Sequence, residues 1–230
     1  MRPARGVRGS RRPLLSLAGA LLLLLVLAQL LLPRIAADRI SSRVGRYGSV
    51  SSVHVAAWPA IELLWGHADS VRVIASSLSL EPAQGAQLLS EASGVTRMDV
   101  SAQNVKIGTL ALTGATLHKR GAQLAASALV DERAAQVALP AGLEDLRLVR
   151  SGGGAVEVQA RGSLFGVGAS VDVLAEAREG ELIAHPLGLL AGALTLTIFS
   201  SPHVYVEGVG ASRLATQPAS YRLTMSARLR

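Results

Sequence analysis

Residues 14–32 form a run of nineteen without a single charge, and no other feature narrows so far what the chain can become. As a helix rising about 1.5 Å per residue, the run reaches roughly 28 Å, close to the roughly 30 Å hydrocarbon core of a bilayer. Arg2, Arg5, Arg8, Arg11 and Arg12 precede it, and positive flanks stay in the cytoplasm. The pattern predicts a basic cytoplasmic head over 1–13, a transmembrane anchor over 14–32 and an extracytoplasmic domain over 33–230. That is a single-pass protein of the cytoplasmic membrane with its N-terminus inside. A cleaved signal peptide shares the basic-then-apolar form. Retention fits better, because the run exceeds the usual apolar length of about 7 to 15 residues and no small-x-small cleavage site follows it. Either outcome exports residues 34–230.

The formal charge of +7 then loses its meaning as a binding signal. Five of those charges are the arginines of the head, so the rest of the chain carries only +2, and clustered Lys/Arg with interleaved aromatics is missing. Nucleic acid is not an expected partner. Without cysteine there are no disulfides and no thiolate metal sites, so the exported domain is held by its core alone.

After the run, Ile35, Ala36, Ile40 and Val44 recur at helical spacing among Arg34, Asp38, Arg39, Arg43 and Arg46. This predicts a helix continuing from the anchor, with a narrow apolar stripe and glycines at 45 and 48 to end it. The stripe packs on a sheet in one reading; in another the arginines meet anionic headgroups. A strand around Val53 and Val55 leads into segment 58–66, where Trp58, Pro59, Ile61, Leu64 and Trp65 precede Gly66. Proline suits a first helical turn and glycine a helix end, so a two-turn helix is predicted there. Both tryptophans of the protein lie in it. The segment reads either as a core helix or as a lip that enters a membrane or gates a lipid site, tryptophan favouring places half apolar and half wet. Val71 and Val73 then alternate with Arg72 and Ile74 as a strand.

This succession of a span, a charged helix ending in glycines, a Val-rich strand, Trp58-Pro59-Ala60-Ile61-Glu62-Leu63-Leu64-Trp65-Gly66 and the strand Asp69-Ser70-Val71-Arg72-Val73 resembles the LmeA-like phospholipid-binding family of actinobacterial envelopes. The close match covers roughly residues 35–74, and Trp58 and Trp65 depart from the other apolar residues usual in the family. The resemblance implies an exported lipid-binding domain of tubular, long-sheet type with an apolar groove.

Further on, 81–92 predicts a short helix with Pro82 in its first turn, and strands follow to Val130, with Gly108, Gly114 and Gly121 as hairpin points. Asp131 is placed to cap another short helix. Four more strands span 143–185, turning at Gly152-Gly153-Gly154. Residues 186–199 form a second uncharged run, too short to cross a bilayer. It reads as a buried loop and core strand, or as groove lining through Leu187, Leu189 and Leu190. Two strands close the chain.

No chemistry stands out. A Gly-x-Ser-x-Gly elbow and a phosphate-cradling loop are both missing, and the five histidines lack metal-ligand spacing. No metal, cofactor or catalytic residue is expected, and His67 with Asp69 reads as a surface pair. The sequence therefore predicts an α+β domain, a long curved antiparallel sheet with a few short helices, behind one transmembrane helix. It is expected to be a non-enzymatic binder of a phospholipid or polyprenyl-linked lipid in envelope lipid handling or glycolipid maturation. Trp58, Pro59, Ile61, Leu64, Trp65, Leu187, Leu189 and Leu190 are the candidate lipid or membrane contacts. Which envelope enzymes it works with is open. The competing class is an envelope adaptor that binds protein partners by sheet-edge pairing. A binder predicts an internal groove; an adaptor predicts a filled core and an exposed edge.

Overall fold

In the computed structural model, residues 12–137, 143–164, 167–188, 195–215 and 219–230 are described. Helix α1 (Arg12–Val44) runs 33 residues without a break and passes through Pro33. The described residues contain no helix long and apolar enough to cross a membrane. The basic head before Arg12, and the side chains of residues 12–25 that make up most of the uncharged run, lie outside the described residues. A 3-10 turn at Gly45–Tyr47 follows, and Gly48 opens the first strand, so the glycines stop the helix where expected.

Among the described residues, twelve strands follow in two sheets. The larger has the order β1-β2-β3-β4-β5-β12-β11 and the smaller β10-β9-β8-β7-β6. Strands β1 (Gly48–Ala56), β2 (Ala68–Leu80), β3 (Val95–Ile107), β4 (Leu110–Arg120) and β5 (Gln123–Asp131) come first. Next are β6 (Leu143–Gly152), β7 (Ala155–Leu164), β8 (Val167–Arg178), β9 (Glu181–Pro186), β10 (Leu196–Phe199), β11 (Val204–Leu214) and β12 (Ser220–Leu229). The α+β class holds, with two refinements. The expected sheet is two sheets, and β2 and β3 pair in parallel. The crossover between them is α2 (Pro82–Glu91), started by proline in its first turn and by a capping box in which Glu81 and Gln84 each bond the other's backbone. A parallel pair needs such a crossover, which a hairpin cannot supply.

Gly108 and Gly121 sit at tight turns with positive φ, as expected. Gly114 does not: it lies inside β4 with φ 56°, at an irregularity in the β4–β5 ladder between Thr113 and Thr116, and so marks a bulge rather than a hairpin. Asp131 ends β5, and its carboxylate accepts a hydrogen bond from Ser220 Oγ at 3.0 Å just before α3 (Glu132–Val137). In run 186–199, the expectation of a core strand fails. β10 is the outer strand of the smaller sheet, with Leu196 and Ile198 exposed.

The two sheets meet along β11. Its Val206 N–H donates to Gly180 O and its Val209 N–H to Gly154 O, both at 2.9 Å, and its Ala211 N–H donates to Ser151 Oγ at 2.8 Å. Turns of the smaller sheet thus satisfy the edge of the larger one, which leaves these β11 amides closed to strand addition. Gly180 has φ 88°, and a methyl group there would meet the Tyr205 ring of β11. Gly180→Ala should therefore cost about 1–3 kcal/mol from backbone strain and overpacking. A thermal melt should show a fall of several degrees.

Candidate functional site

Cross-strand register aligns apolar side chains in rows on one face of the larger sheet. Val53 of β1 stands opposite Val73 of β2, Val73 beside Val100 of β3 and Val100 opposite Leu117 of β4. The next row runs Val55, Val71, Met98 and then Lys119. Around Val73 and Met98 the described residues cover this face with two helices, while further along it Ala134 and Ala135 of α3 and Leu148 of β6 pack around Ala75 and Val105. From α1 come Leu32, Ile35, Ala36, Arg39, Ile40 and Arg43, a helical spacing that confirms the stripe read from sequence. From α2 come Gly85, Leu88 and Leu89, with Ala92 just after its end. Between sheet and helices a cavity of about 680 Å³ remains, its lining completed by Leu63 and Leu64 of the segment before β2. Of its 25 lining residues only Arg39, Arg43 and Glu91 carry polar side chains. The groove reading expected such a space, whereas the adaptor reading expected a filled core.

The charged residues lie together. Arg43 Nη1 donates to Glu91 Oε2 at 2.6 Å, which joins α1 to α2. Arg39 has no ion-pair partner among the described residues. Lys119 continues an apolar row and is 1% exposed. Its ammonium donates to the carbonyls of Ser93 and Val95, where the chain passes from α2 into β3, and burial holds its pKa below the ordinary lysine value.

Segment 58–66 is not a core helix but an exposed loop, hereafter the lip. Its centre is a 3-10 helix, Ala60–Trp65, ended by Gly66 in the left-handed conformation. Trp58 is 72% exposed and Trp65 68%, with Ile61, Leu64 and Pro59 also exposed, while Ala60 is buried. Of the candidate contacts, Leu64 lines the cavity; Trp58, Pro59, Ile61 and Trp65, on the same segment, do not. Leu187 is half-buried in the other sheet's surroundings, its N–H donating to Asp172 O, and is no part of the lining. Leu189 and Leu190 lie outside the described residues. Asp69 does not pair with His67: its Oδ2 accepts the Trp58 N–H at 2.7 Å and ties down the start of the lip.

Sequence reasoning missed the α2 residues, Met98 and Gln29. The amide of Gln29, inside the uncharged run, donates to Ala57 O at 3.2 Å and accepts from Ala60 N–H at 2.8 Å. A carboxamide alone in an apolar helix was the available signal, because such a group needs a partner wherever it is buried.

Away from the cavity, Asp99 Oδ1 lies 2.7 Å from His118 Nδ1 and 3.1 Å from an Arg120 nitrogen. The hydrogen bond with His118 leads in holding the Asp99 carboxyl below its ordinary value, against desolvation and with help from Arg120. No hydroxyl is hydrogen-bonded to His118 among the described residues, so the group is an ion-pair cluster with no nucleophile attached. No group of three metal-ligating side chains occurs among the described residues.

A family model described as LmeA-like phospholipid-binding matches residues 25–222, most of the chain. No curated protein and no solved structure matches it. The matched region begins inside the uncharged run, four residues before Gln29.

Because its ring is exposed, Trp65→Ser should change stability by no more than about 0.5 kcal/mol, far from the roughly 3–5 kcal/mol of a buried aromatic. Urea denaturation of the full chain would measure the difference.

Proposed function

The chain belongs to the LmeA-like phospholipid-binding family, and from that premise we propose that it is a membrane-tethered, extracytoplasmic carrier of phospholipid or polyprenyl-linked lipid. It serves envelope lipid handling or glycolipid maturation and is not a catalyst. The observation that carries this reading is the cavity of about 680 Å³ with 22 of 25 lining residues apolar or glycine. Its size is within the roughly 300–1,000 Å³ of small-molecule sites, and each acyl CH₂ buried there contributes about 0.8 kcal/mol. Arg39 supplies an uncommitted guanidinium at the wall, suited to a lipid phosphate. The lip of Trp58, Pro59, Ile61, Leu64 and Trp65 is the membrane or lipid contact.

The adaptor reading has one observation in its favour, the exposed outer strand β10 with Leu196 and Ile198. The closed edge of β11 and the open cavity weigh against it.

Lipids retained by the full chain through purification should be found by mass spectrometry, and a fluorescent fatty-acyl probe should bind and be displaced by phospholipid. Ala36→Phe places a ring in the cavity. Displacing only two methylenes would weaken the probe more than about tenfold. A folded protein that takes up no lipid of any kind would favour the adaptor.

The tether has its own test. A reporter active only outside the cytoplasm, fused after Arg230, should be active, and high salt should leave the protein in the membrane fraction. Glutamate in place of the five leading arginines should impair that orientation; release by salt alone would refute the anchor.

A further inference from the structure

Gln29 holds the lip on both sides of the Trp58-Pro59 pair. Its Nε2 donates to Ala57 O and its Oε1 accepts from Ala60 N–H, while Asp69 takes the intervening Trp58 N–H. Ala57 and Ala60 are buried, so these backbone groups have exchanged water for side-chain partners. The lip is therefore docked on α1, and at a defined height. Gln29 lies three residues, or about 4.5 Å along the helix axis, before the end of the uncharged run at Leu32.

Around this docking point the surface is apolar. Val26, Leu27, Leu30 and Leu31 of α1 are exposed, as are Trp58 and Trp65. A surface meeting only water rarely presents so continuous a patch. Immediately beyond it stand Arg34 and Arg39, exposed on α1. Exposed aliphatic residues with two tryptophans docked among them, followed along the helix by arginines, suit acyl chains and interface followed by anionic headgroups. The lip end of the cavity, with Leu63 and Leu64, is at the tryptophan level.

We propose that Gln29 positions the tryptophan lip at the interface of the membrane holding α1, so that the cavity receives phospholipid directly from the adjoining extracytoplasmic leaflet. This rests on the phospholipid-carrier reading and adds the source of the lipid and the residue that sets the geometry. Gln29 is a positioning residue: it does not line the cavity.

Trp58 and Trp65 are the only tryptophans, so intrinsic fluorescence reports the lip alone. The full chain would be reconstituted in phosphatidylcholine–phosphatidylglycerol vesicles carrying bromine high or low on the acyl chains. In the wild type, shallow bromines should quench more than deep ones. Gln29→Leu keeps the helix apolar and removes both hydrogen bonds. It should reduce shallow quenching and slow transfer of a fluorescent phospholipid from vesicle to protein about tenfold, the scale of one net hydrogen bond. Loading of the same probe in detergent should be unchanged, and circular dichroism would check the fold. Gln29→Glu, which retains an acceptor for Ala60 and loses the donor to Ala57, should move both readouts less and in the same direction.

Wild-type emission indifferent to bromine at either depth would overturn the proposal, including the case where a second copy covers the lip. So would a Gln29→Leu protein that matches the wild type in quenching and transfer. If the wild type showed shallow quenching but loaded no probe in detergent, the carrier reading would fail and take direct uptake with it, while the depth of the lip would stand.

Discussion

Everything at the site follows from how little covers the apolar face of the larger sheet. Four strands contribute rows such as Val53, Val73, Val100 and Leu117, a surface that must be kept from water. A second sheet of matching width would fill the space. Here the smaller sheet reaches only one part of the face, through Leu148 beside Ala134 and Ala135 of α3, and the part around Val73 and Met98 is left to the second half of α1 and the ten residues of α2. Two cylinders on a sheet leave a gap wherever their side chains are short. Ala36, Gly85 and Ala92 are all found in the lining. Protein interiors close such gaps when nothing prevents it, and water gains few hydrogen bonds among aliphatic walls. An apolar occupant removes the conflict.

Local rules made many elements legible. Pro82 announced α2, the Ile35–Ala36–Ile40–Val44 stripe announced the covering helix, and Gly108 and Gly121 announced hairpins. What could not be read was pairing. Alternation along β2 is the same whether its neighbour runs parallel or antiparallel, and only the crossover through α2 decides it. Nor does any local feature tell that β12 returns to pair with β5 while β6 to β10 form their own sheet. Gly114 shows the same limit at smaller scale, since positive φ serves a bulge as well as a turn.

The site was legible in part, for a related reason. Residues 58–66 declared themselves through both tryptophans and the Pro–Gly punctuation, yet lip and core helix have one composition. Exposure decided between them. Leu187 and the following run were apolar enough for a groove, but apolarity does not say which sheet a segment joins, and Leu196 and Ile198 finish on an exposed outer strand. Gln29 was hidden by the reasoning that found the run around it. A search for missing charge passes over a carboxamide whose partners lie 28 and 31 residues away.

The walls of the cavity are not held alike, and this gives it a direction. At the lip, α1 is fastened through Gln29 to backbone groups that are buried, where an unmade hydrogen bond costs its full desolvation. Alongside, Ile40 packs with Val71, Val73 and Met98, and Val44 packs with the neighbouring core around Leu78 and Val105. Between α1 and α2, by contrast, the Arg43–Glu91 bridge has side chains 57% and 35% exposed, and such pairs contribute about 0–1 kcal/mol. Helix α1 is thus fixed to the sheet and to the lip, while its polar bond to α2 is weak. The apolar hold on α2 runs through Leu89, which packs against two separate core clusters. Lys119, bonded to the carbonyls just after α2, ties the junction of α2 and β3 to β4, so that the start of β3 is fixed by a buried ammonium rather than by a surface ion pair.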